Sequence, residues 1–153
     1  MPRVEIRRVA PHGDEGRALI AAAVAELAER YEGDQDPAVD LDDLVPPRGA
    51  FLVARLDGEP VGCGGLRSLG PAVGEIKRMF VAPTVRRRGV GRALLAGLED
   101  AARDLGWTSL RLETGLRQPE AIALYQDTGY ERIPDYGHWA GEPLTVCFEK
   151  PLG

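Results

Sequence analysis

An arginine- and glycine-rich turn is the part of this sequence best suited to binding an anion. It reads Arg86, Arg87, Arg88, Gly89, Val90, Gly91 and Arg92, between a predicted strand and a predicted helix. Glycines just before a helix let backbone N–H groups come close to an anion, and the helix dipole adds partial positive charge there. Arginine side chains can add forked hydrogen bonds to phosphate oxygens. The turn therefore predicts a binding site for a pyrophosphate group.

The same turn carries a spacing that resembles a known motif. Arg86-x-x-Gly89-x-Gly91 matches the acyl-CoA loop (Arg or Gln, two residues, Gly, one residue, then Gly or Ala) of the GNAT family of N-acetyltransferases. The resemblance continues in family order over roughly residues 50–150. It passes through Glu113-Thr114-Gly115, Gln118 to Tyr125, Gly129-Tyr130 and Cys147 to Lys150. Similarity to small stand-alone bacterial members implies direct acetyl transfer from acetyl-CoA to an amine acceptor, expected to be a small molecule, without a metal.

Length and composition fit one globular domain covering residues 1–153. The hydrophobic fraction is 44% and the charged fraction is 28%, and both are ordinary for such a domain. A net charge of −5 argues against nucleic-acid binding by bulk electrostatics. Because the sequence has no apolar run of membrane-spanning length and no leader segment, we expect a cytoplasmic protein without a membrane partner. We expect both cysteines, Cys63 and Cys147, to be buried free thiols without a catalytic role.

Hydrophobic spacing predicts an α/β domain with the element order β-α-βββ-α-β-α-β. The predicted strands are Val4–Val9, Ala50–Leu56, Pro60–Arg67, Val73–Val81, Thr108–Glu113 and Leu144–Lys150. The predicted helices are Asp14–Tyr31, Gly89–Leu105 and Pro119–Thr128. Glycines at 62, 64 and 65 weaken the third strand and predict a bulge or close packing there. Together these elements predict a mixed sheet of about six to seven strands with helices on both faces.

The family resemblance implies how this sheet would form a site. GNAT folds splay two neighbouring parallel strands apart, here Val73–Val81 and Thr108–Glu113, and the acyl-CoA arm lies between them. The backbone of Met79, Phe80 and Val81 is expected to pair with that arm, and one of its N–H groups would hold the thioester carbonyl. Gln118 stands where family members often have Asn, so it is carried over as a cofactor contact. The family often forms dimers, which makes a homodimer a further expectation.

Acetyl transfer to an amine is helped by a base and by an acid. A lysine-like amine with a pKa of about 10.4 is mostly protonated near neutral pH, and removing its proton costs roughly 4 kcal/mol. By resemblance, Tyr125 is expected to protonate the leaving sulfur and Glu75 to act as the base. Glu113 and water are the alternatives for the base. Glu113 and Thr114 could instead bind the ammonium group of the acceptor.

Two further segments could border the acceptor. The acidic residues between 34 and 43 could attract a cationic amine, although a solvated loop explains them more simply. The aromatic segment 136–139 could line the acceptor pocket, cap the core or form a dimer contact.

Strand alternation also places Glu75, Lys77, Met79 and Val81 on one face of their strand.

Two other functions compete with this interpretation. Gly89-Val90-Gly91 opens a helix and Glu113 follows about 20 residues later, as in a dinucleotide-binding fingerprint. Against that function, residues 82–88 separate the strand from the first glycine, and one βα unit alone precedes the glycines. The other alternative is a non-catalytic regulatory module that binds CoA. The presence of both Glu75 and Tyr125 argues against such a module.

Overall fold

Seven strands form one mixed sheet in the computed structural model, which describes residues 3–31 and 39–153. The strands are β1 (Val4–Arg8), β2 (Gly49–Leu56), β3 (Glu59–Ser68), β4 (Val73–Val81), β5 (Ser109–Gly115), β6 (Glu131–Ile133) and β7 (Thr145–Pro151). The α-helices are α1 (Asp14–Arg30), α2 (Val90–Asp104) and α3 (Pro119–Asp127). The strands lie in the order β1-β2-β3-β4-β5-β7-β6, and β4 and β5 form a parallel pair. The predicted α/β fold is confirmed.

Strand β6 is missing from the predicted element order, and this omission is an error of the sequence analysis. The strand follows α3 almost directly and pairs with β7 through Glu131–Glu149, Arg132–Phe148 and Ile133–Cys147. Three residues are too few for alternation of apolar and polar side chains to show in a sequence. Pairing with β7, rather than local propensity, therefore creates β6.

Apolar side chains pack on both faces of the sheet, as alternation along β2 shows. Leu52 and Ala54 belong to the cluster that contains α2, whereas Phe51 and Val53 belong to the cluster that contains Leu19 of α1. Helix α2 presents three almost fully buried leucines at helical spacing, Leu94, Leu95 and Leu98. Tyr125 of α3 joins the same cluster. Helices therefore cover both faces of the sheet, as predicted.

The parallel strands β4 and β5 separate part of the way along their length. They pair through Val73–Ser109, Gly74–Leu110 and Glu75–Arg111, and the pairing ends there. Strand β4 nevertheless continues to Val81, and β5 continues to Gly115 beside β7. The predicted splay between these two strands is confirmed, and Glu75 marks the point where the seam opens.

A β-bulge in β4 changes which side chains face the two sides of the sheet. Cys63 pairs with Phe80 and Gly65 pairs with Lys77, so two residues of β4 oppose the single residue Gly64. One of these two, Arg78, has the left-handed φ of 56°. A Cβ atom on Gly64 would lie 2.9 Å from Leu98 of α2, so close packing accompanies the bulge. The expectation of a bulge or close packing at these glycines is confirmed.

The bulge also makes one prediction wrong. Regular alternation would put Glu75 and Met79 on the same face of β4. Instead, Met79 and Val81 pack in the same cluster as Ile76, whose side chain points away from that of Glu75. The extra residue at the bulge reverses the alternation between Glu75 and Met79.

Candidate active site

The open seam between β4 and β5 leads into a cavity of about 300 Å³. Its lining includes Met79 and Phe80 from β4, Glu113 and Thr114 from β5, and Tyr125 from α3. The C-terminal half of α1 and the loop between β6 and β7 complete the walls. The structure thus brings together residues that the sequence placed in three different roles: cofactor binding, acceptor binding and catalysis.

Tyr125 is held in the cavity wall by packing of its ring. It is 5% exposed, and its ring lies 5.8 Å from that of Tyr130 and 6.3 Å from that of Phe148, centroid to centroid. Burial raises the pKa of Tyr125 above its ordinary value because the charged phenolate would lose its hydration. The hydroxyl therefore keeps its proton across the physiological range and is available there as a hydrogen-bond donor.

The two candidate bases occupy different positions. Among the described residues, those that line the cavity include Glu113 but not Glu75. Glu75 is 1% exposed, and both of its carboxylate oxygens accept hydrogen bonds from protein groups. Arg67 Nε donates to Oε1 at 2.8 Å, and the Tyr136 hydroxyl donates to Oε2 at 2.7 Å. Glu75 lies behind the cavity wall, and its role as a base stays a prediction.

The loop between β6 and β7 lies close to the second candidate, Glu113. Gly137 in this loop has a φ of 80°, and a Cβ atom there would lie 3.2 Å from both Glu113 carboxylate oxygens. The same loop contributes Trp139 and Leu144 to the cavity wall. The expectation that the aromatic segment 136–139 lines the pocket is therefore met at Trp139.

The predicted anion-binding turn has the backbone shape that an anion site needs. Arg87 and Gly89 have left-handed φ values of 68° and 82°, and α2 begins immediately afterwards at Val90. The first intrahelical hydrogen bond is donated by Ala93 to the Gly89 carbonyl at 3.0 Å. The N–H groups of residues 90–92 precede that donor, so they are the orphan amides of a helix start. The main chain of this turn fits a pyrophosphate group.

Glycine is favoured at the two motif positions for different structural reasons. Gly89 is favoured by its left-handed φ. Packing is not the reason, since a Cβ atom there would meet nothing within 4 Å. Gly91 is closely packed, since its Cβ atom would lie 2.8 Å from Leu124 Cδ2 of α3 and that side chain would have to move. Close approach to an anion is therefore only one of the reasons for glycine in this turn.

The arginines of the turn also differ from one another. Arg86 Nη2 donates to both carboxylate oxygens of Glu26 in α1, at 2.8 and 2.6 Å, and its Nε donates to the Val81 carbonyl at 3.2 Å. This side chain ties the turn to α1 and to the end of β4. Arg87, Arg88 and Arg92 are exposed, and Arg92 lies 3.6 Å from Asp127. Phosphate contacts by these four side chains stay predictions.

The end of α1 is a part of the site that the sequence analysis did not predict. Tyr31 lines the cavity and its hydroxyl donates to Gln118 Oε1 at 3.2 Å, where Thr114 Oγ1 also donates at 3.3 Å. A Cβ atom on Gly115 would lie 1.8 Å from the Tyr31 hydroxyl oxygen, so the position of Tyr31 depends on glycine there. Gln118 thus holds α1 against the end of β5. The residues in contact are more than eighty positions apart, so no local pattern could reveal them.

Two aspartates of the acidic segment 34–43 make local structural contacts. Residues 34–38 lie outside the described residues. Asp40 caps a short 3₁₀ turn by accepting from the Asp42 N–H at 3.0 Å, and Asp42 lies 2.8 Å from His12 Nε2. These contacts explain Asp40 and Asp42 without a bound amine.

Three features of the described structure bear on other functions. Within residues 3–31 and 39–153, the structure places no three His, Cys, Asp or Glu side chains together as a metal site. The helices of that same part of the chain include none with the length and apolar character needed to cross a membrane. The sheet also argues against the dinucleotide alternative, because a doubly wound fold needs a mostly parallel sheet and the pairs other than β4–β5 are antiparallel.

Comparison with known proteins agrees with this geometry. A family model described as Acetyltransferase (GNAT) family matches residues 16–130. The chain is 40% identical to the IAA acetyltransferase of Azospirillum brasilense, over 99% of this chain and 100% of that protein. A solved structure from Klebsiella pneumoniae, with a provisional assignment as an acyl-CoA N-acyltransferase, has a TM-score of 0.85 and 38% identity over 98% of each chain.

A more distant structure shares the fold. A GNAT family acetyltransferase from Elizabethkingia anophelis, solved with acetyl-CoA bound, has a TM-score of 0.70 and 19% identity, covering 97% of each chain. The family model alone spans most of the present sequence. The chain belongs to the GNAT family of acetyltransferases, whose acetyl donor is acetyl-CoA.

Proposed function

We propose that this protein transfers the acetyl group of acetyl-CoA directly to the amino group of a small-molecule amine. The observation that carries the proposal is the open seam beyond Glu75, with Tyr125 and Glu113 lining one cavity beside it. A tightly closed parallel pair would leave no path for a pantetheine arm between the strands. The proposal also takes the acceptor to enter from the side formed by α1 and the β6–β7 loop.

Main-chain groups would hold the donor. The amides of residues 90–92 would bind the pyrophosphate, since they lack intrahelical partners. The edge of β4 from Met79 to Val81 has lost its β5 neighbour, so its N–H and C=O groups can pair with amide groups of the pantetheine arm. Acetyl-CoA itself supplies a thioester carbonyl carbon that an amine can attack.

Tyr125 would act as the acid. As the amine nitrogen bonds to the carbonyl carbon and the carbon–sulfur bond breaks, the sulfur leaves as a thiolate. The Tyr125 hydroxyl donates its proton to that sulfur and recovers one from solvent afterwards. Because burial raises the pKa of Tyr125, the hydroxyl is present in its protonated form at the start of each turnover.

Glu113 is the better-placed proton acceptor for the amine. Its carboxylate lines the cavity, whereas that of Glu75 is bonded on both oxygens behind the wall. A general base has to come within about 3 Å of the proton it takes, directly or through one water molecule. Glu113 would therefore bind the ammonium group and accept its proton, combining the two roles that the sequence left open for it.

The cavity favours a small acceptor with an apolar part. A volume of about 300 Å³ is at the low end of small-molecule sites, and the thioester end of acetyl-CoA would share it with the acceptor. Leu27, Leu112 and Leu144 supply apolar walls. The charged lining residues are Glu26, Glu113 and Glu142 together with Lys77 and Arg78, so acidic residues outnumber basic ones by one. This combination matches a compact primary amine that carries a hydrocarbon or aromatic group.

Neither cysteine is expected to carry the acetyl group. Cys63 and Cys147 are both buried and free. Burial raises the pKa of the Cys63 thiol to about 12, and burial also raises the pKa of Cys147. A thiol is a poor nucleophile without its thiolate form. Direct transfer is therefore favoured, whereas a cytoplasmic location and a homodimer stay predictions from the sequence.

Release of CoA thiol in the presence of a panel of primary amines tests this function. We expect thiol release above the hydrolytic background with at least one small amine, and acetylation of its nitrogen by mass spectrometry. Isothermal titration with acetyl-CoA, run in parallel, separates binding from catalysis. Tight binding without thiol release across the panel would instead favour the regulatory CoA-binding module.

A further inference from the structure

The loop between β6 and β7, residues 134–144, forms one wall of the cavity without a core of its own. It supplies Trp139, Glu142, Pro143 and Leu144 to the lining. Tyr136 and Trp139 are half-buried, and the other residues of the loop are exposed. An exposed loop of this length keeps one position only when specific contacts hold it.

Tyr136 makes such a contact with the sheet. Its hydroxyl donates to Glu75 Oε2 at 2.7 Å, and its ring centroid lies 5.7 Å from the Arg111 guanidinium carbon. Burial, followed by the nearby Glu75 carboxylate, raises the pKa of Tyr136. The hydroxyl therefore remains a hydrogen-bond donor to Glu75 at every pH at which the protein would be assayed.

Glu75 is well placed to serve as the fixed end of this contact. It pairs with Arg111 at the last parallel pair before the seam opens, so its backbone belongs to the closed part of the sheet. Arg67 Nε holds its other oxygen at 2.8 Å. A buried carboxylate with a bonded partner on each side has little freedom to move. Glu75 can therefore fix the position of the loop relative to the sheet.

The next residue of the loop lies against the candidate base. Gly137 has so close an approach to Glu113 that a Cβ atom would lie 3.2 Å from either carboxylate oxygen. A loop displaced from Glu75 would therefore change the surroundings of Glu113 as well as the wall formed by Trp139.

We propose that Tyr136 is a positioning residue, which holds the β6–β7 loop on Glu75 and thereby sets the affinity for the acceptor amine. Glu75 acts in this arrangement as an anchor for the loop rather than as the base. The inference rests on the proposed function in one respect, because it takes the cavity to be the acceptor site.

Tyr136→Phe removes the hydroxyl while keeping the ring. Loss of a hydrogen bond to a buried carboxylate should raise the KM for the amine by about ten- to a hundredfold. The KM for acetyl-CoA and the turnover number at saturating amine should stay within about threefold, since neither depends on ground-state binding of the acceptor. Amide hydrogen exchange should become faster in residues 134–144 and not in α2.

Tyr130→Phe is the matched control. It also removes a hydroxyl that donates to a carboxylate, at 3.0 Å from Glu99 Oε2, but on the face of the sheet covered by α2. It should leave the KM for the amine and exchange in the β6–β7 loop unchanged. An equal rise in KM in this control would show a general effect of destabilisation and would overturn the inference.

Glu75→Gln separates an anchor from a base. An anchor role predicts a higher KM for the amine with a preserved turnover number and an unchanged pH profile. The double variant with Tyr136→Phe should be no worse than the more affected single variant, because Tyr136→Phe removes and Glu75→Gln weakens the same contact. A base role predicts instead a loss of turnover of about 10² or more and an altered pH profile.

Exchange and kinetics together decide the inference. Unchanged loop exchange and unchanged amine KM in Tyr136→Phe overturn it, and Glu75→Gln carries the same test if Tyr136→Phe does not fold. If the wild-type protein acetylates no amine but loop exchange still rises in Tyr136→Phe, the proposed function fails and the structural anchor stands.

Discussion

The two sides of the open seam are built in different ways. The proposed donor side is one continuous stretch from Met79 to Arg92, where main-chain groups are proposed to hold acetyl-CoA. The acceptor side is assembled from α1, β5, the start of α3 and the β6–β7 loop, which are distant in sequence. Tyr31 joins α1 to the start of α3, and Tyr136 joins the β6–β7 loop to Glu75 of β4, through hydrogen bonds across the fold.

This contrast has a chemical reason. A pyrophosphate offers the same oxygens in every reaction, so one turn of orphan amides can bind it without specific side chains. An acceptor amine differs from enzyme to enzyme, so its site depends on side chains that fix a cavity shape. The donor side should therefore respond to changes of backbone and size, and the acceptor side to loss of single hydroxyl or carboxylate groups.

The largest effect is expected at Tyr125, where the two sides meet. Tyr125→Phe should lower the turnover number by about 10²- to 10⁴-fold, because the leaving thiolate loses its proton donor. Affinity for acetyl-CoA should stay within about twofold, since ring packing is kept. Thiol release and isothermal titration measure the two quantities. Equal turnover in the variant would remove Tyr125 from the mechanism.

The pH profile adds an independent check on Tyr125. Because its pKa is raised by burial, the hydroxyl stays protonated as the pH increases past the ordinary tyrosine value near 10. Tyr125 should therefore cause no loss of turnover on the alkaline side below about pH 10. An alkaline decline below that pH that disappears in Tyr125→Phe would contradict the raised pKa.

On the donor side, Gly91→Glu is expected to reduce acetyl-CoA binding below detection. The change introduces both bulk near Leu124 and negative charge beside the pyrophosphate amides. Gly91→Gln brings nearly the same bulk without the charge, so it isolates the packing effect. Affinity should fall at least about tenfold further with Glu than with Gln. Equal affinities for the two variants would mean that packing against α3 explains the glycine completely.

Much of the fold could be predicted because its signals are local. Alternation along the strands, helical spacing of leucines in α2 and the glycine turn each lie within about twenty residues. Strand β6 and the bulge at Arg78 could not be predicted in position, because pairing with β7 and contact of Gly64 with α2 produce them. Such features depend on tertiary contacts between elements far apart in the chain.

The candidate site also has one part that local motifs predict and another that depends on tertiary contacts. Tyr125 and the Gly89–Gly91 turn were each predicted from a contiguous motif, and the structure places Tyr125 in the cavity lining. By resemblance the sequence predicts Glu75 as the base, with Glu113 as the alternative, because spacing alone does not show which carboxylate faces the acceptor. The two glutamates differ because Arg67 and Tyr136 donate hydrogen bonds to Glu75, and the sequence contains no pattern that predicts these contacts.

Glu113 provides the next test, on the acceptor side alone. Glu113→Gln keeps the shape of the side chain but removes its charge and its capacity as a base. Catalytic efficiency toward the amine should fall by about 10²-fold, with affinity for acetyl-CoA unchanged. Glu131→Gln, the same substitution at an exposed position in β6, should leave both quantities unchanged. A normal rate in Glu113→Gln would return water or Glu75 as the proton acceptor.

The smallest effect is expected where the two sides are joined. Arg86 of the donor turn and Glu26 of α1 form a two-oxygen contact at 2.6 and 2.8 Å, and Glu26 also lies 3.4 Å from Arg30. Because these groups are only half-buried, Glu26→Gln should lower the free energy of unfolding by about 1 kcal/mol. Glu29→Gln, at an exposed position on the same helix, should change it by less than about 0.5 kcal/mol.

Urea denaturation measures both variants, and added salt sharpens the comparison between them. The difference between Glu26→Gln and the wild-type protein should shrink only slightly at high salt, since a half-buried pair is screened less than an exposed one. If Glu26→Gln is as stable as Glu29→Gln, the ion pair contributes nothing to holding α1 on the donor turn. The two sides of the seam would then be joined by the paired part of the sheet, and not by the arginine of the family motif.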